Sequence, residues 1–250
     1  MAAVTLIGSP VSPYVRKVLA CCALKGVEVA VDPITPFMGD EAFARISPLR
    51  RIPVWIEGDV TLCDSSVIVQ YIEETRPGPS LWPSDPVQRA RARWIEEFAD
   101  TRLFDVLGWR LFFQLALKPR FFEGEPDMAV VEQARDVDAP AIFDYLEGLT
   151  PADGFLFGAV GAADFALAPA FVNVAAVGLE VDPGRWPRLA AWLQRMKDET
   201  PLGALNKAAR TLMRTPIHAQ RDRLPELGLV AAEQSWLGGA VVRGPMTPAI

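Results

Sequence analysis

The chain has 250 residues, 50% hydrophobic and 22% charged, with 25 basic against 31 acidic side chains and a formal net charge of −6 at pH 7. That is enough apolar material for a sizeable core in one or two domains, and the acidic balance argues against nucleic acid or an anionic membrane as the main partner. Three cysteines (Cys21, Cys22, Cys63) and one histidine (His218) offer no spacing for a disulfide framework, a zinc cluster or a histidine-based triad, so no metal is expected.

The opening Met1-Ala-Ala-Val-Thr-Leu-Ile-Gly8 lacks the basic flank and long apolar centre of a secretory signal, and no run reaches the length of a membrane helix; a cytoplasmic protein is expected. Its apolar stretch from Val4 reads as a short strand. A turn with two serines and two prolines follows, and Pro13-Tyr-Val-Arg-Lys17-Val-Leu begins an amphipathic helix. Ser12 therefore stands where a strand hands over to a helix N-terminus. The unpaired N–H groups of that first turn and the positive end of the helix dipole favour negative charge just above them. A thiolate suits that place. Pro13 fits the first helical position, where its missing N–H costs nothing. Taken alone, Ser12 reads as a helix cap.

After a second strand and helix comes Ser47-Pro-Leu-Arg50-Arg51-Ile52-Pro53-Val-Trp-Ile-Glu57, a loop entering a strand through an Ile–Pro bond. Proline is tolerated at the first strand position. A cis bond there would turn the backbone N–H and C=O of Ile52 outward, free to pair with an extended peptide ligand, whereas a plain edge strand is the simpler alternative. Gly58-Asp59 marks a two-residue hairpin, and Leu62-Cys63-Asp64-Ser65-Ser66 opens another helix with capping residues. Asp64 offers a carboxylate to an ammonium group. Ser65, with the helix N-terminal amides, offers a hydroxyl to a carboxylate. Together they would form a receptor for an amino-acid zwitterion; taken alone, the segment reads as an ordinary cap.

From Arg76 through Pro86 the chain carries four prolines and a glycine, which neither a helix nor a central strand survives. Beyond this linker strand signals vanish. Residues 87–117 carry Trp94, Ile95, Phe98, Leu103 and Phe104 at helical spacing, and further helices are expected over 127–149, 162–177, 186–199 and 202–213. The chain thus divides into an α/β domain (1–80), an all-helical domain (87–213) and an extension (214–250). The extension holds Pro216, Pro225, several glycines and Trp236, and folding over a pocket, docking at a subunit interface and mobility are all open to it.

The three capped or proline-entered segments, in this order, resemble the glutathione transferases. The serine and cysteine types (bacterial theta-, zeta- or omega-like) are closer than the tyrosine types, since Ser12 stands at the start of the first helix, ahead of the Tyr-Val-Arg-Lys run. The resemblance runs from about Val4 to about residue 212 and implies a thioredoxin-like α/β N-terminal domain followed by an all-α domain. It implies that Ser12 hydrogen-bonds the glutathione sulfur, that Ile52 before a cis Pro53 pairs with the cysteinyl backbone, and that Asp64 and Ser65 hold the γ-glutamyl end. The family often uses an acid longer than Asp64 and a lysine or glutamine for the glycyl carboxylate; here Arg51 is the nearest basic candidate, with Arg50 beside it. Gly161-Ala-Ala-Asp164 resembles the family's capped core helix, with glycine in place of the usual hydroxyl residue, which makes Asp164 structural.

The activity implied is glutathione S-transferase chemistry: attack of an activated glutathione thiol on small apolar electrophiles, a detoxification reaction, in a cytoplasmic homodimer with glutathione as co-substrate. Ser12 acts there as a hydrogen-bond donor, not as a nucleophile, because no histidine is placed to take its proton. The same site would serve a glutathione-dependent isomerase, dehalogenase or peroxidase, and some relatives are non-catalytic binding proteins. Keeping Ser12, Asp64 and Ser65 together favours the enzyme, since an interaction module has no need of a zwitterion receptor. The aromatics Trp109, Phe112, Phe113, Phe121 and Phe122 read either as helix packing or as the lining of an apolar pocket.

Overall fold

A computed structural model describes residues 4–245 and 247. Contacts divide the described residues into two compact units, one that runs to Pro79 and resumes from Ala204, and one over Ser80–Gly203.

The first unit is built on strands β1 (Val4–Ile7), β2 (Ala30–Asp32), β3 (Val54–Glu57), β4 (Val60–Cys63) and β5 (Val230–Ala231), in the spatial order β4-β3-β1-β2-β5. β1 runs parallel to β2 and antiparallel to β3. Leu6 and Ile7 of β1 and Trp55 and Val54 of β3 are all buried, so both faces of the sheet are covered. The register pairs Leu6 with Trp55 and Ile7 with Val54, and strand alternation sends the two pairs to opposite faces. On one face Trp55 meets Tyr71 of α3 (Ser65–Thr75) edge-on, ring centroids 6.4 Å apart, and α1 (Pro13–Leu24) packs beside α3. On the other face Ile7 and Val54 cluster with Ile34, Trp236 and Phe43, the last from α2 (Glu41–Ile46). All three helices start at side-chain caps: Ser12, Asp40 and Asp64.

One expectation fails here: strands do not vanish after the proline-rich linker. β5 joins β2 in parallel, with Val230 opposite Ala30 and Ala231 opposite Val31. Two residues, one of them 63% exposed, carry no periodicity for a sequence window to detect. The unpaired edge of β2 imposes the strand. The extension reaches that edge through α11 (Ile217–Arg223) and then runs on along residues 32–50.

In the second unit, α4 (Pro86–Phe98) starts at an Asp85 cap with Pro86 in the first turn. It continues over Ala99–Leu117 with wider, π-type pairing, as where the N–H of Lys118 reaches the C=O of Phe113, and ends in α5 (Lys118–Phe121). α6 (Met128–Gln133) and α7 (Ala139–Leu149) are joined by one such wide turn, and α8 (Ala162–Ala175) and α9 (Pro187–Asp198) follow. α10 (Leu202–Met213) opens at the end of this unit and continues in the first.

Asp164 sits at the centre of the second unit, 1% exposed. Its carboxylate accepts from the N–H groups of Gly161 and Leu156 and from the indole of Trp192, each at 3.1 Å. Gly161 supplies no side chain, so only the acid's half of a capping box exists. A Cβ at Gly161 would lie 2.7 Å from the carbonyl oxygen of Leu81, which is why the usual serine or threonine cannot stand there without a shift.

Candidate functional site

The turn between β1 and α1 carries two serines with different fates. Ser9 is buried, donates to Oε1 of Gln220 at 2.8 Å and accepts from the N–H of Val11 at 3.3 Å. Ser12 is half-buried, and its Oγ accepts only a long contact, 3.5 Å, from the N–H of Val15. A bond so near the distance limit holds the hydroxyl weakly and leaves its proton to donate elsewhere. Gly8 brings the next segment close. Its φ is +143°, and a Cβ there would sit 2.6 Å from Val15 Cγ2 and 2.9 Å from Ile52 Cβ. Absence of a side chain thus joins the Ser12 turn to the Ile52 loop.

The Ile52–Pro53 bond is cis. Neither the N–H nor the C=O of Ile52 is paired among the described residues. The neighbouring arginines divide as the sequence could not decide. Arg50 has φ +48°, donates to the carbonyl of Gly39 and lies 5.9 Å over the ring of Phe43, so it braces the loop. Arg51 is exposed. Its backbone N–H and C=O are both held by the Ser47 hydroxyl at 2.9 Å, and its guanidinium has no partner among the described residues.

Asp64 caps α3 from an unusual backbone position, φ +77° and ψ 131°, where a non-glycine residue is strained. One carboxylate oxygen accepts from the N–H of Ser66 at 2.9 Å, and the carboxylate is exposed. Ser65 is 4% exposed and Lys17 of α1 only 1%. The Lys17 ammonium donates to the hydroxyls of Ser65 at 3.2 Å and Ser66 at 3.0 Å. Sequence reasoning missed this lysine. Chain order carries no local signal for its burial, because adjacent charges on a helix commonly share its solvent face and only the packing of α1 through Val15, Val18, Leu19 and Cys22 decides otherwise. Arg16 is fully buried as well and donates to Asn206 Oδ1 at 2.6 Å; burial, then the nearby Arg210, lowers its guanidinium to about 9.

Charge in this corner is arranged asymmetrically. The N-terminus of α3 and the Lys17 ammonium attract an anion, while Asp64 one residue away attracts a cation. Cys63, next in the chain, donates to the carbonyl of Ile46 at 2.9 Å, and burial pushes its thiol up, so it stays protonated. No group of three metal-ligating side chains occurs among the described residues, and no helix among them is long and apolar enough to cross a membrane.

A mixed sheet with helices on both faces and a proline-entered third strand, followed by a helical unit, defines a thioredoxin-like α/β domain with a helical C-terminal domain. The family profile described as the glutathione S-transferase N-terminal domain matches residues 6–80, and that of the C-terminal domain matches 129–195. Together they match more than half of the chain, which belongs to the glutathione S-transferase family. It is 36% identical over 97 residues to the uncharacterized GST-like protein YibF of Escherichia coli K12, covering 38% of this chain and 48% of that one. It is 30% identical over 131 residues to a glutathione S-transferase of Hyoscyamus muticus, covering 50% and 61%. The chain thus spans about half the length of the curated relatives it matches. Among solved structures, a glutathione S-transferase from Sinorhizobium meliloti superposes with a TM-score of 0.74 at 23% identity, covering 88% of this chain and 99% of that one.

Proposed function

We propose that the protein is a glutathione transferase of the serine/cysteine type that activates the glutathione thiol for attack on small apolar electrophiles. The observation that carries this reading is the Asp64–Ser65–Lys17 corner: an exposed carboxylate beside a helix N-terminus charged by a buried ammonium, a match for the γ-glutamyl zwitterion. The unpaired backbone of Ile52 offers antiparallel hydrogen bonds to the cysteinyl residue, and Arg51 a cation to the glycyl carboxylate.

The Ser12 hydroxyl then donates to the sulfur. A free thiol has a pKa near 8.5, and lowering it by about two units requires roughly 2.7 kcal/mol of preferential thiolate stabilisation. One hydrogen bond to an anion supplies about 1.5–3 kcal/mol and the N-terminus of α1 up to about 1. With a chloronitrobenzene, the thiolate electron pair forms a C–S bond at the carbon bearing chlorine, chloride leaves with the C–Cl pair, and the thiol proton has already gone to solvent. Exposed Val87 and Trp94 on α4 support a two-fold symmetric dimer, which sedimentation well above 27.4 kDa would verify.

The decisive experiment is calorimetric titration with glutathione, followed by turnover of the chloronitrobenzene. Binding with turnover is expected. Binding without turnover would leave a non-catalytic glutathione-binding protein, and no binding at millimolar glutathione would overturn the reading.

A further inference from the structure

Resting on the glutathione reading above, we propose that the C-terminal segment from Pro216 to Gly244 is a positioning strap for the glutathione site. Gln220 holds the turn that carries Ser12, and Trp236 holds the loop that carries Arg51 and Ile52.

The first attachment is a relay of three residues. Gln220, 1% exposed, spends its amide N–H groups on the carbonyls of Leu212 at 2.9 Å and Thr215 at 3.3 Å, which fixes the orientation of the amide. Its Oε1 is left to accept from the Ser9 hydroxyl at 2.8 Å, and the carbonyl of Ser9 in turn accepts the N–H of Ser12 at 2.9 Å. The backbone at the cap of α1 is therefore set by a side chain from the far end of the protein.

The second attachment concerns residues 35–51, which contain only a three-residue helical turn (Pro36–Met38) and the six-residue α2. Segments this short do not hold themselves. The strap supplies their order. The N–H of Asp40 donates to the carbonyl of Trp236 at 2.9 Å, that of Gly238 to Met38 at 2.6 Å, and that of Val242 to Phe37 at 2.7 Å. The Trp236 ring completes the cluster of Ile7, Ile34, Phe43 and Val54, against which Ile46 and Ile52 lean. Asp32, 1% exposed, anchors the junction: one oxygen accepts from the Ser235 hydroxyl at 2.7 Å, the other from the N–H of Trp236 at 2.8 Å.

Because the two attachments reach different halves of the site, the two losses separate kinetically. Gln220→Ala is expected to raise the pKa of the bound glutathione thiol and lower kcat roughly three- to tenfold with little change in the KM for glutathione, since it disturbs only the donor at sulfur. Trp236→Ala is expected to raise the KM and Kd for glutathione roughly tenfold with a smaller effect on kcat, and to speed hydrogen exchange over residues 35–51. Trp236→Phe should restore most of the affinity. Should Trp236→Ala fail to fold, Trp236→Leu makes the same comparison. Folded variants with wild-type Kd, KM and thiol pKa, in a wild type that binds glutathione, would overturn the strap alone. A wild type that does not bind glutathione would overturn the underlying reading and this inference with it.

Discussion

Lys17 and Ser65 stand 48 positions apart in the chain, yet the lysine ammonium lies 3.2 Å from the serine hydroxyl, beneath the first turn of α3. A buried ammonium is costly, and placing it at the positive end of a helix adds to the local potential instead of cancelling it. The ammonium and the helix N-terminus thus act in the same direction on an approaching anion.

Lys17→Met tests that relationship. The variant is expected to lose about 1–3 kcal/mol of stability, because the buried Ser65 hydroxyl and that of Ser66 lose a charged donor. Its affinity for glutathione should fall about tenfold or more, about 1.4 kcal/mol, through loss of the positive potential behind the N-terminus of α3. Cysteinylglycine, which lacks the γ-glutamyl group, should bind both forms alike in calorimetry.

Asp64→Asn separates the cap from the receptor. Asparagine tolerates positive φ and caps helices as well as aspartate does, so melting should change by no more than about 0.5 kcal/mol. The ammonium of the ligand would meet a neutral amide, and glutathione affinity should drop about tenfold or more. A large loss of stability with unchanged affinity would make Asp64 a cap only.

Ser12→Ala is expected to cost at most about 1 kcal/mol of stability, since its cap bond is already 3.5 Å long. Turnover should fall by one to three powers of ten, about 1.4–4 kcal/mol, and the ultraviolet absorbance of the bound thiolate should titrate at higher pH. Ser12→Cys should instead form a mixed disulfide with oxidised glutathione, releasing one glutathione thiol.

Asp164 gives the fold a pH dependence of unusual sign. Burial, opposed by the hydrogen bonds from Leu156, Gly161 and Trp192, raises its carboxyl from 3.8 to about 6. Between those values the folded chain holds the proton more tightly than the unfolded one. Its contribution to stability is therefore complete below the lower value and is lost as pH rises through the higher, with a slope of up to about 1.4 kcal/mol per pH unit. Asp164→Asn should flatten the stability profile of chemical denaturation across that window. It should also lower the baseline by about 1–3 kcal/mol, because an amide has one acceptor oxygen for three donors.

The elements with local signatures were legible. Ser12 before Pro13, the Ile52–Pro53 entry to β3, the Gly58–Asp59 hairpin and the Asp64 cap act within three or four residues, so chain order displays them directly. The split between an α/β part and a helical part was legible for the same reason, since helical periodicity and the proline-rich linker are local patterns. The wide turns over Ala99–Leu117 were not, because their apolar spacing still reads as an α-helix.

By itself, the sequence determined which residues cap, turn and break the chain, and hence where Ser12, the Ile52–Pro53 entry and the Asp64–Ser65 cap lie along it. Tertiary structure alone decided that Lys17 faces Ser65 and not solvent, that Arg50 braces a loop while Arg51 stays available, and that Gln220 reaches Ser9 across 211 positions. It also made β5 from two residues at the open edge of β2. The physical reason is range: caps and turns are settled by backbone geometry within one helical turn, whereas burial of a charge or pairing at a sheet edge depends on partners that only the folded chain brings near.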